Sequence, residues 1–230
     1  MATRPVPTGP GATPGGTARP AGSGPGDPGP ARSRARVGGT ASAALADHLV
    51  ESQRGLVALR PSLAQIERWG RELRRRLAGG ARLLVAGNGG SAALAQHLAA
   101  EMVGRYDRHR PPFSALALTT ETAGLTAIGN DYGFDQAFAR QVAAHGRPGD
   151  VLVALSTSGR SANVLQAVTT ARAIGVACWA MTGPRPNPLA EVAEDALAVD
   201  CTSAPSVQDV HQVAVHLVCL AFELSGEDDR

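Results

Sequence analysis

The sequence contains no lysine, because all 22 of its basic residues are arginine. This absence excludes Schiff-base chemistry on a lysine and the phosphate-binding lysine of a P-loop NTPase. Aromatic residues make up only 3% of the chain, whereas hydrophobic residues make up 43%. The core must therefore be built mainly from alanine, valine, leucine and isoleucine, and 230 residues are enough for one domain of ordinary size.

Cysteine and long apolar runs are also scarce. The three cysteines, Cys178, Cys201 and Cys219, are widely spaced and odd in number. This pattern indicates a reducing compartment, with neither a disulfide framework nor a cysteine metal knuckle. No apolar run approaches the ~20 residues that span a bilayer, and no secretory leader is evident. We therefore expect a cytoplasmic protein without a membrane segment.

Positive charge is concentrated in the first 40 residues, which carry five arginines and one aspartate in a chain of net charge +2. The remainder is therefore slightly negative, which argues against a basic nucleic-acid-binding surface. Residues 1–40 also contain eight prolines and ten glycines, with almost nothing to bury. We expect a disordered tail there, a single domain over 41–226, and a short acidic tail at 227–230.

The body predicts two helices followed by alternating strands and helices. Residues 41–78 contain two helices that separate near Pro61 and end at Gly79-Gly80. Their leucine stripes would cover a sheet or pack against another subunit. Short apolar runs predict strands at 83–86, 113–118, 151–155, 176–181 and 196–199, with helices at 91–105, 122–144, 161–174, 188–194 and 206–224.

Strands that alternate with helices indicate an α/β fold. We expect a three-layer sandwich around a five-stranded parallel sheet, doubly wound like nucleotide-binding folds and preceded by the two N-terminal helices. In such sheets, ligands bind beyond the carboxyl ends of the strands. The loops that follow the strands are therefore the places to look for a site.

The first predicted strand is followed by a glycine-rich turn, Gly87-Asn88-Gly89-Gly90-Ser91. Glycine permits a tight turn and close backbone approach to a ligand, and the helix that follows offers free N–H groups to an anion. The run formally fits the dinucleotide pattern G-x-G-x-x-[GA]. The acidic residue that a ribose would need ~20 positions later is not suitably placed, because the nearest candidate after the next strand is Glu121. Nucleotide binding is therefore the less favoured interpretation.

A second strand–loop–helix unit carries four hydroxyls, from Ser156, Thr157, Ser158 and Ser161. Together with the N–H groups of the next helix, these hydroxyls would form a phosphate cradle that needs no lysine. An ordinary strand-to-helix turn with Ser161 as the capping residue is the alternative. The position at the ligand-binding edge of the sheet favours the cradle.

His97 and Glu101 lie one turn apart on the helix after the glycine loop and therefore share a face. Because apolar residues surround them, we expect this face to be partly buried. The pair could bind a metal, act as an acid and a base, or be incidental. Its place beside a presumed ligand loop makes a functional role as plausible as an incidental one.

The last predicted helix carries a second group of polar side chains. Gln208 and His216 are separated by ~12 Å along the helix, so two long side chains could just share one metal. His211 with Asp209 is an equally plausible pair. Spacing alone does not choose between them.

Four segments together resemble the sugar isomerase (SIS) domain family: GNGGSAALAQHLAAE, LTAIGNDYGFDQAFARQV, DVLVALSTSGRSANVLQAV and VQDVHQVAVHLVC. They occur in the family's order, and the likeness, from about residue 45 to residue 224, is to the members that isomerise heptose phosphates. The resemblance implies a homotetramer with active sites near subunit interfaces. It also implies conversion of D-sedoheptulose 7-phosphate to D-glycero-D-manno-heptose 7-phosphate by enediol proton transfer, feeding activated-heptose biosynthesis.

The resemblance also implies roles for particular residues. It makes Arg105 a further candidate near a subunit interface, and for the reaction we hypothesise that Glu101 moves the carbon-bound proton and His216 the oxygen-bound proton. Zn²⁺ would be held by His97, Glu101, Gln208 and His216. The sugar phosphate would be contacted by Asn88, Gly89, Gly90, Glu101, Asn130, Asp131, Ser156, Thr157, Ser158, Ser161 and Gln208.

A related branch of the family keeps the fold and the loops but acts as a tetrameric binding protein for the replication initiator DnaA. That branch lacks counterparts of Glu101 and His216, so their presence here favours an enzyme. The alternative is a non-catalytic regulator that binds DnaA or a sugar phosphate. The chain departs from the family pattern at Leu94, Ala204 and Asp209, which bears on the exact substrate or the rate rather than on the chemistry.

Overall fold

The computed structural model describes residues 40–226 of the chain. The predicted tails at 1–40 and 227–230 lie outside these residues, apart from Thr40, whose hydroxyl accepts a hydrogen bond from the Ala43 N–H and caps the first helix. Within residues 40–226, no helix combines the length and apolarity that crossing a bilayer requires. All three cysteines are free and buried, as expected from the absence of a disulfide pattern.

The two predicted N-terminal helices are confirmed. Helix α1 (Ala41–Ala58) is followed by a single 3-10 turn (Arg60–Ser62) and then by helix α2 (Leu63–Ala78). Pro61 lies in the turn, at a position where its missing N–H costs no intrahelical hydrogen bond. Helix α2 ends at Gly79, as the glycine pair predicts.

The two helices bury different kinds of residue. Helix α2 buries its apolar stripe, including Trp69 and Leu73, in the core. The stripe predicted on α1 is divided, since Leu45 is 68% exposed and Leu49 is 64% exposed, whereas Leu56 is partly buried against the core. The fully buried residues of α1 are the small Ser52 and Gly55, so Leu45 and Leu49 do not cover the sheet within this chain.

Five parallel strands form one sheet in the order β2-β1-β3-β4-β5, which confirms the predicted fold class. From β1 the chain goes to β2 on one side, and it then returns to β3 on the other side of β1. The topological switch point therefore lies between β1 and β3, where ligands bind in open α/β sheets. The strands are β1 (Leu83–Gly87), β2 (Ala115–Ala117), β3 (Val151–Ser156), β4 (Ala177–Thr182) and β5 (Asp195–Ala198).

The remaining helices follow the predicted order, with one correction. The helix predicted over 122–144 is broken at Gly133, whose φ of 89° leaves the helical region, and a 3-10 turn (Phe134–Gln136) follows it. The helices are α3 (Gly90–Val103), α4 (Thr122–Tyr132), α5 (Ala139–His145), α6 (Ala162–Ala173), α7 (Pro188–Val192) and α8 (Ala204–Leu224).

Successive side chains of the strands enter two separate apolar layers, as a sheet covered on both faces requires. Leu83 and Val85 pack with α2, α3 and α8, whereas Leu84 and Ala86 pack with α5, α6 and α7. Few aromatics are present, but two tryptophans stack in the first layer, Trp69 on α2 with Trp179 on β4, at 5.1 Å between ring centroids. This packing sets α3 and α8 side by side, next to the switch point.

Candidate active site

The glycine loop turns directly from the end of β1 into α3. A side chain is excluded at Gly87, because a Cβ there would lie 2.7 Å from the Ser91 carbonyl oxygen. Gly89 has a φ of 56°, a conformation that L side chains rarely adopt. The Asn88 side chain exchanges two amide hydrogen bonds, of 2.8 and 2.9 Å, with Asn163 on α6. Asn163 was not predicted, and it ties the glycine loop to the helix that follows β3.

The serine loop follows β3 at the same edge of the sheet. The Ser156 hydroxyl lies 3.1 Å from the Ser161 hydroxyl and accepts a hydrogen bond of 3.1 Å from the Gly159 N–H. Ser161 occupies the N-cap position of α6, but its hydroxyl makes no capping hydrogen bond. The ordinary capping interaction therefore does not explain the serine at this position.

The two loops are neighbours, because Gly87 at the end of β1 pairs with Leu155 on β3. A cavity of about 270 Å³ adjoins the serine loop and extends to the residues that precede and begin α8. Its lining is rich in hydroxyls, from Thr157, Ser158, Thr202 and Ser203. Hydroxyls and backbone N–H groups can bind a phosphate without lysine.

A cluster of three side chains joins α3 to α8. His97 Nε2 lies 2.9 Å from Glu101 Oε1 and 3.4 Å from His216 Nε2. One nitrogen or oxygen from each residue lies within 4.8 Å of the others. The His97 side chain is 35% exposed and the Glu101 side chain 18%, which confirms the partly buried face. Two imidazoles and one carboxylate form a donor set that zinc sites use, so these residues could hold a metal.

The other predicted ligand, Gln208, lies on α8 about two turns before His216. Its side-chain amide packs against Gly90, where even a methyl group would collide with it. Gly90 is the first residue of α3, so the structure places the Gln208 amide beside the glycine loop. Gln208 is thus positioned between the loop and the histidines on the α8 face that meets α3.

The alternative pair on α8, His211 with Asp209, is separated in the structure. His211 is fully buried, and its Nε2 lies 3.1 Å from the Thr182 carbonyl oxygen; burial lowers its pKa to about 4. Asp209 instead faces α1, where its carboxylate lies 3.0 Å from His48 Nε2. These two residues therefore support the packing of α8 on different sides.

Three further residues suggested by the family resemblance are exposed and contact their immediate neighbours. Asn130 donates a side-chain hydrogen bond of 2.8 Å to Asp131 on α4. Arg105 donates to the carbonyl oxygen of Asp107 in the loop after α3. Within this chain, their described contacts do not connect them to the histidine cluster.

Two residues that contact the cluster were missed at the level of sequence. Gln212 lies one turn before His216, and its Nε2 is 3.0 Å from His216 Nε2 and 3.3 Å from His97 Nδ1. Tyr106 packs on His216 with 5.4 Å between ring centroids, and its N–H donates to Glu223. The i, i+4 spacing of Gln212 and His216 was a signal for the first. No spacing rule points to the second.

The chain as a whole is similar to known proteins. Residues 53–183 match the model of the SIS domain, and the chain belongs to this family. The chain is 57% identical over 180 residues to the phosphoheptose isomerase of Streptomyces coelicolor, with 78% of each chain covered. Family membership and the prediction of an enzyme, an isomerase of the phosphoheptose isomerase type, are thereby confirmed.

Solved structures agree with this assignment. The structure of phosphoheptose isomerase from Neisseria gonorrhoeae is 40% identical to this chain, with a TM-score of 0.74 over 80% of this chain and 100% of that one. A phosphoheptose isomerase from Francisella tularensis is 32% identical, with a TM-score of 0.76 over 80% of this chain and 99% of the other. The similarity therefore extends over essentially the whole of both solved chains.

Proposed function

We propose that this protein converts D-sedoheptulose 7-phosphate to D-glycero-D-manno-heptose 7-phosphate in a zinc-containing site, in the cytoplasm and as a step toward activated heptoses. The observation that carries the proposal is the cluster of His97, Glu101 and His216 beside two loops at the switch point of the sheet. The similarity to phosphoheptose isomerases supports the choice of substrate.

We assign the metal to His97, Glu101 and His216, with Gln208 as the fourth ligand. The chemistry of the donor set supports zinc, which favours imidazole nitrogen and carboxylate oxygen. A zinc ion held by these residues would order the site or polarise the substrate carbonyl as a Lewis acid. Gln208 adjoins both the glycine loop and the cluster face of α8, so it can contact metal and substrate together.

We assign the substrate's phosphate to the serine loop and its hydroxyl end to the glycine loop. The serine loop offers four hydroxyls at the carboxyl edge of the sheet, from Ser156, Thr157, Ser158 and Ser161. The hydroxyl of Ser161 is not used as a helix cap. Asn88, Gly89 and Gly90 would hold the sugar hydroxyls. Because Asn130 and Asp131 are exposed on α4, we expect them to reach a substrate that is bound near a subunit interface.

Two proton transfers complete the isomerisation. One carboxylate oxygen of Glu101 takes the proton from one carbon of the C1–C2 pair and returns it to the other carbon. His216 moves a proton between the oxygens bound to these two carbons. Since Glu101 Oε1 faces His97 Nε2 at 2.9 Å, we propose that the second oxygen, Oε2, is the base that accepts the proton from carbon. This division lets one carboxylate contact the metal site and still act as a base.

The assignment of Glu101 is tested with Glu101→Gln, which keeps the shape of the side chain but removes the base. We expect turnover to fall by ~10²–10⁴-fold, the usual contribution of a general base, while substrate binding measured by calorimetry is retained. Glu191→Gln, exposed on α7, is the matched control and should leave turnover unchanged. Full activity of Glu101→Gln would refute the role as base.

We also propose that the protein is a homotetramer. Leu45, Leu49 and Val57 on α1 are each more than half exposed. A groove of about 520 Å³ between α2 and α8 is lined by Leu63, Leu220 and other apolar residues. Apolar surface on adjoining helices is typical of subunit interfaces.

A further inference from the structure

Gln212 lies between two of the proposed metal ligands but has no role in the proposed function. It belongs to α8, one turn before His216, and its side-chain amide reaches across to α3. The same amide nitrogen lies 3.0 Å from His216 Nε2 and 3.3 Å from His97 Nδ1. One side chain therefore contacts ring nitrogens of both histidines.

The hydrogen-bond roles in this arrangement follow from the chemistry of the groups. An amide NH₂ only donates, so both ring nitrogens that face it must carry lone pairs. His97 then carries its proton on Nε2, which lies 2.9 Å from Glu101 Oε1 and donates to it. This tautomer is self-consistent without a metal, but its Nε2 has no lone pair to offer.

Binding a metal through His97 Nε2 requires the opposite tautomer. The proton must then sit on Nδ1, which faces Gln212 and needs an acceptor. Rotation of the Gln212 amide about its last side-chain bond exchanges its oxygen and nitrogen, so Oε1 can take the place of Nε2. The hydrogen bond to His216 Nε2 is lost in this rotation, which leaves the lone pair of that nitrogen for the metal. An imidazole whose second nitrogen donates to a carbonyl oxygen is the usual arrangement of a metal-bound histidine.

We propose that Gln212 is a positioning residue, whose side-chain carbonyl accepts from His97 Nδ1–H and thereby holds His97 Nε2 ready for the metal. The inference rests on the metal site of the proposed function. It adds an outer residue that fixes the tautomer and the ring orientation of one ligand. Amide rotation couples this residue to metal occupancy, because each tautomer of His97 requires one of the two amide orientations.

The test compares two variants of similar size in zinc affinity, measured by competition with a chromogenic chelator. Gln212→Leu removes the acceptor and should weaken zinc binding by ~10–100-fold, as is typical for such partners. Gln212→Glu keeps an acceptor, so its zinc affinity should equal that of the wild type to within a few-fold. Gln166→Leu, exposed on α6, is the matched control. The melting temperature of each metal-free variant checks that it is folded, so that weaker zinc binding is not mistaken for loss of the fold.

Equal zinc affinity of Gln212→Leu and the wild type would overturn the inference. Equal weakening in Gln212→Leu and Gln212→Glu would also overturn it, because it would show that the amide donor, which both variants lack, matters rather than the acceptor. Absence of zinc binding in the wild type would overturn the proposed metal site itself, and with it this inference. The wild-type measurement thus tests the metal site, and the comparison of the variants tests the role of Gln212.

Cobalt spectroscopy distinguishes a positioning residue from a ligand. Because the visible absorption of Co²⁺ depends on its coordination, the Co²⁺-loaded Gln212→Leu protein should show the wild-type spectrum at saturating metal. A changed band position or intensity would contradict the proposal and make Gln212 a direct ligand.

Discussion

His211 illustrates how one buried residue of α8 sets the pH dependence of stability. Its ring is fully buried, and burial lowers its pKa from about 6.5 to about 4. Below pH 6.5 the unfolded chain protonates this histidine, whereas the folded chain does so only near pH 4. The unfolded state thus binds more protons in this window, and the free energy of unfolding falls as the pH is lowered through it.

We expect His211→Gln to flatten this dependence, because glutamine can donate to the Thr182 carbonyl but does not titrate. The free energy of unfolding of the wild type should contain a fall of up to ~1.4 kcal/mol per pH unit from this group between pH 6.5 and 4. Urea unfolding at several pH values measures it. His145→Gln, exposed at the end of α5, is the control. An unchanged slope in His211→Gln would contradict the assignment.

Part of the site could be predicted from individual residues, and part could not. The contact between His97 and Glu101 follows from their i, i+4 spacing, since one helix alone places them on one face. The contact of His97 with His216 depends on how α3 packs against α8, which the spacing along either helix does not determine. The contact of Gln212 with His97 was missed for the same reason, although its i, i+4 spacing from His216 was a signal. The resemblance to a family supplied His216, but it supplied no outer partner for His97.

At the scale of elements, Glu51 attaches α1 to the beginning of α8. Its carboxylate accepts hydrogen bonds from the N–H and hydroxyl of Thr202, the N–H of Ser203 and the hydroxyl of Ser206. These bonds, chiefly that of the Thr202 hydroxyl, lower the pKa of Glu51 to about 2. The negative charge also lies at the positive end of the α8 dipole. Because α8 carries the candidate ligands, this contact helps to place them.

We expect Glu51→Gln to lower the melting temperature at pH 7. Since the pKa is lower in the folded state, the stabilisation is complete above the unfolded pKa of about 4.5 and is lost as the pH falls toward 2. The difference between wild type and variant should therefore shrink with acidification. Calorimetry at pH 7 and at pH 3.5 measures this, with Glu191→Gln on α7 as the control. A variant as stable as the wild type at pH 7 would refute this role.

Elements were predictable where a short apolar run or a breaker residue specifies them. All five strands lie within two residues of their predicted starts, because buried parallel strands read as apolar runs. The break at Gly133 was missed, since a single glycine in a helical pattern does not by itself end a helix. The leucines of α1 were recognised as an apolar face, but periodicity does not specify what covers such a face.

At the scale of the whole molecule, the exposed leucines of α1 make assembly a testable property. We expect Leu49→Glu to shift the protein from a tetramer to smaller species, because a charge in an apolar interface is costly to desolvate. Light scattering coupled to size-exclusion chromatography measures the mass. Gln166→Glu adds the same negative charge at an exposed position of α6 and should leave the tetramer intact. A wild-type monomer would contradict the proposed assembly.

The most direct measurement of the central claim follows the conversion of D-sedoheptulose 7-phosphate by the purified protein with and without a zinc chelator. We expect formation of D-glycero-D-manno-heptose 7-phosphate, loss of this activity after chelation, and recovery when zinc is added back. His97→Ala should bind less zinc and be correspondingly less active, because it removes a proposed ligand. No conversion by zinc-loaded wild-type protein would contradict the account and favour a non-catalytic regulator that binds DnaA or a sugar phosphate.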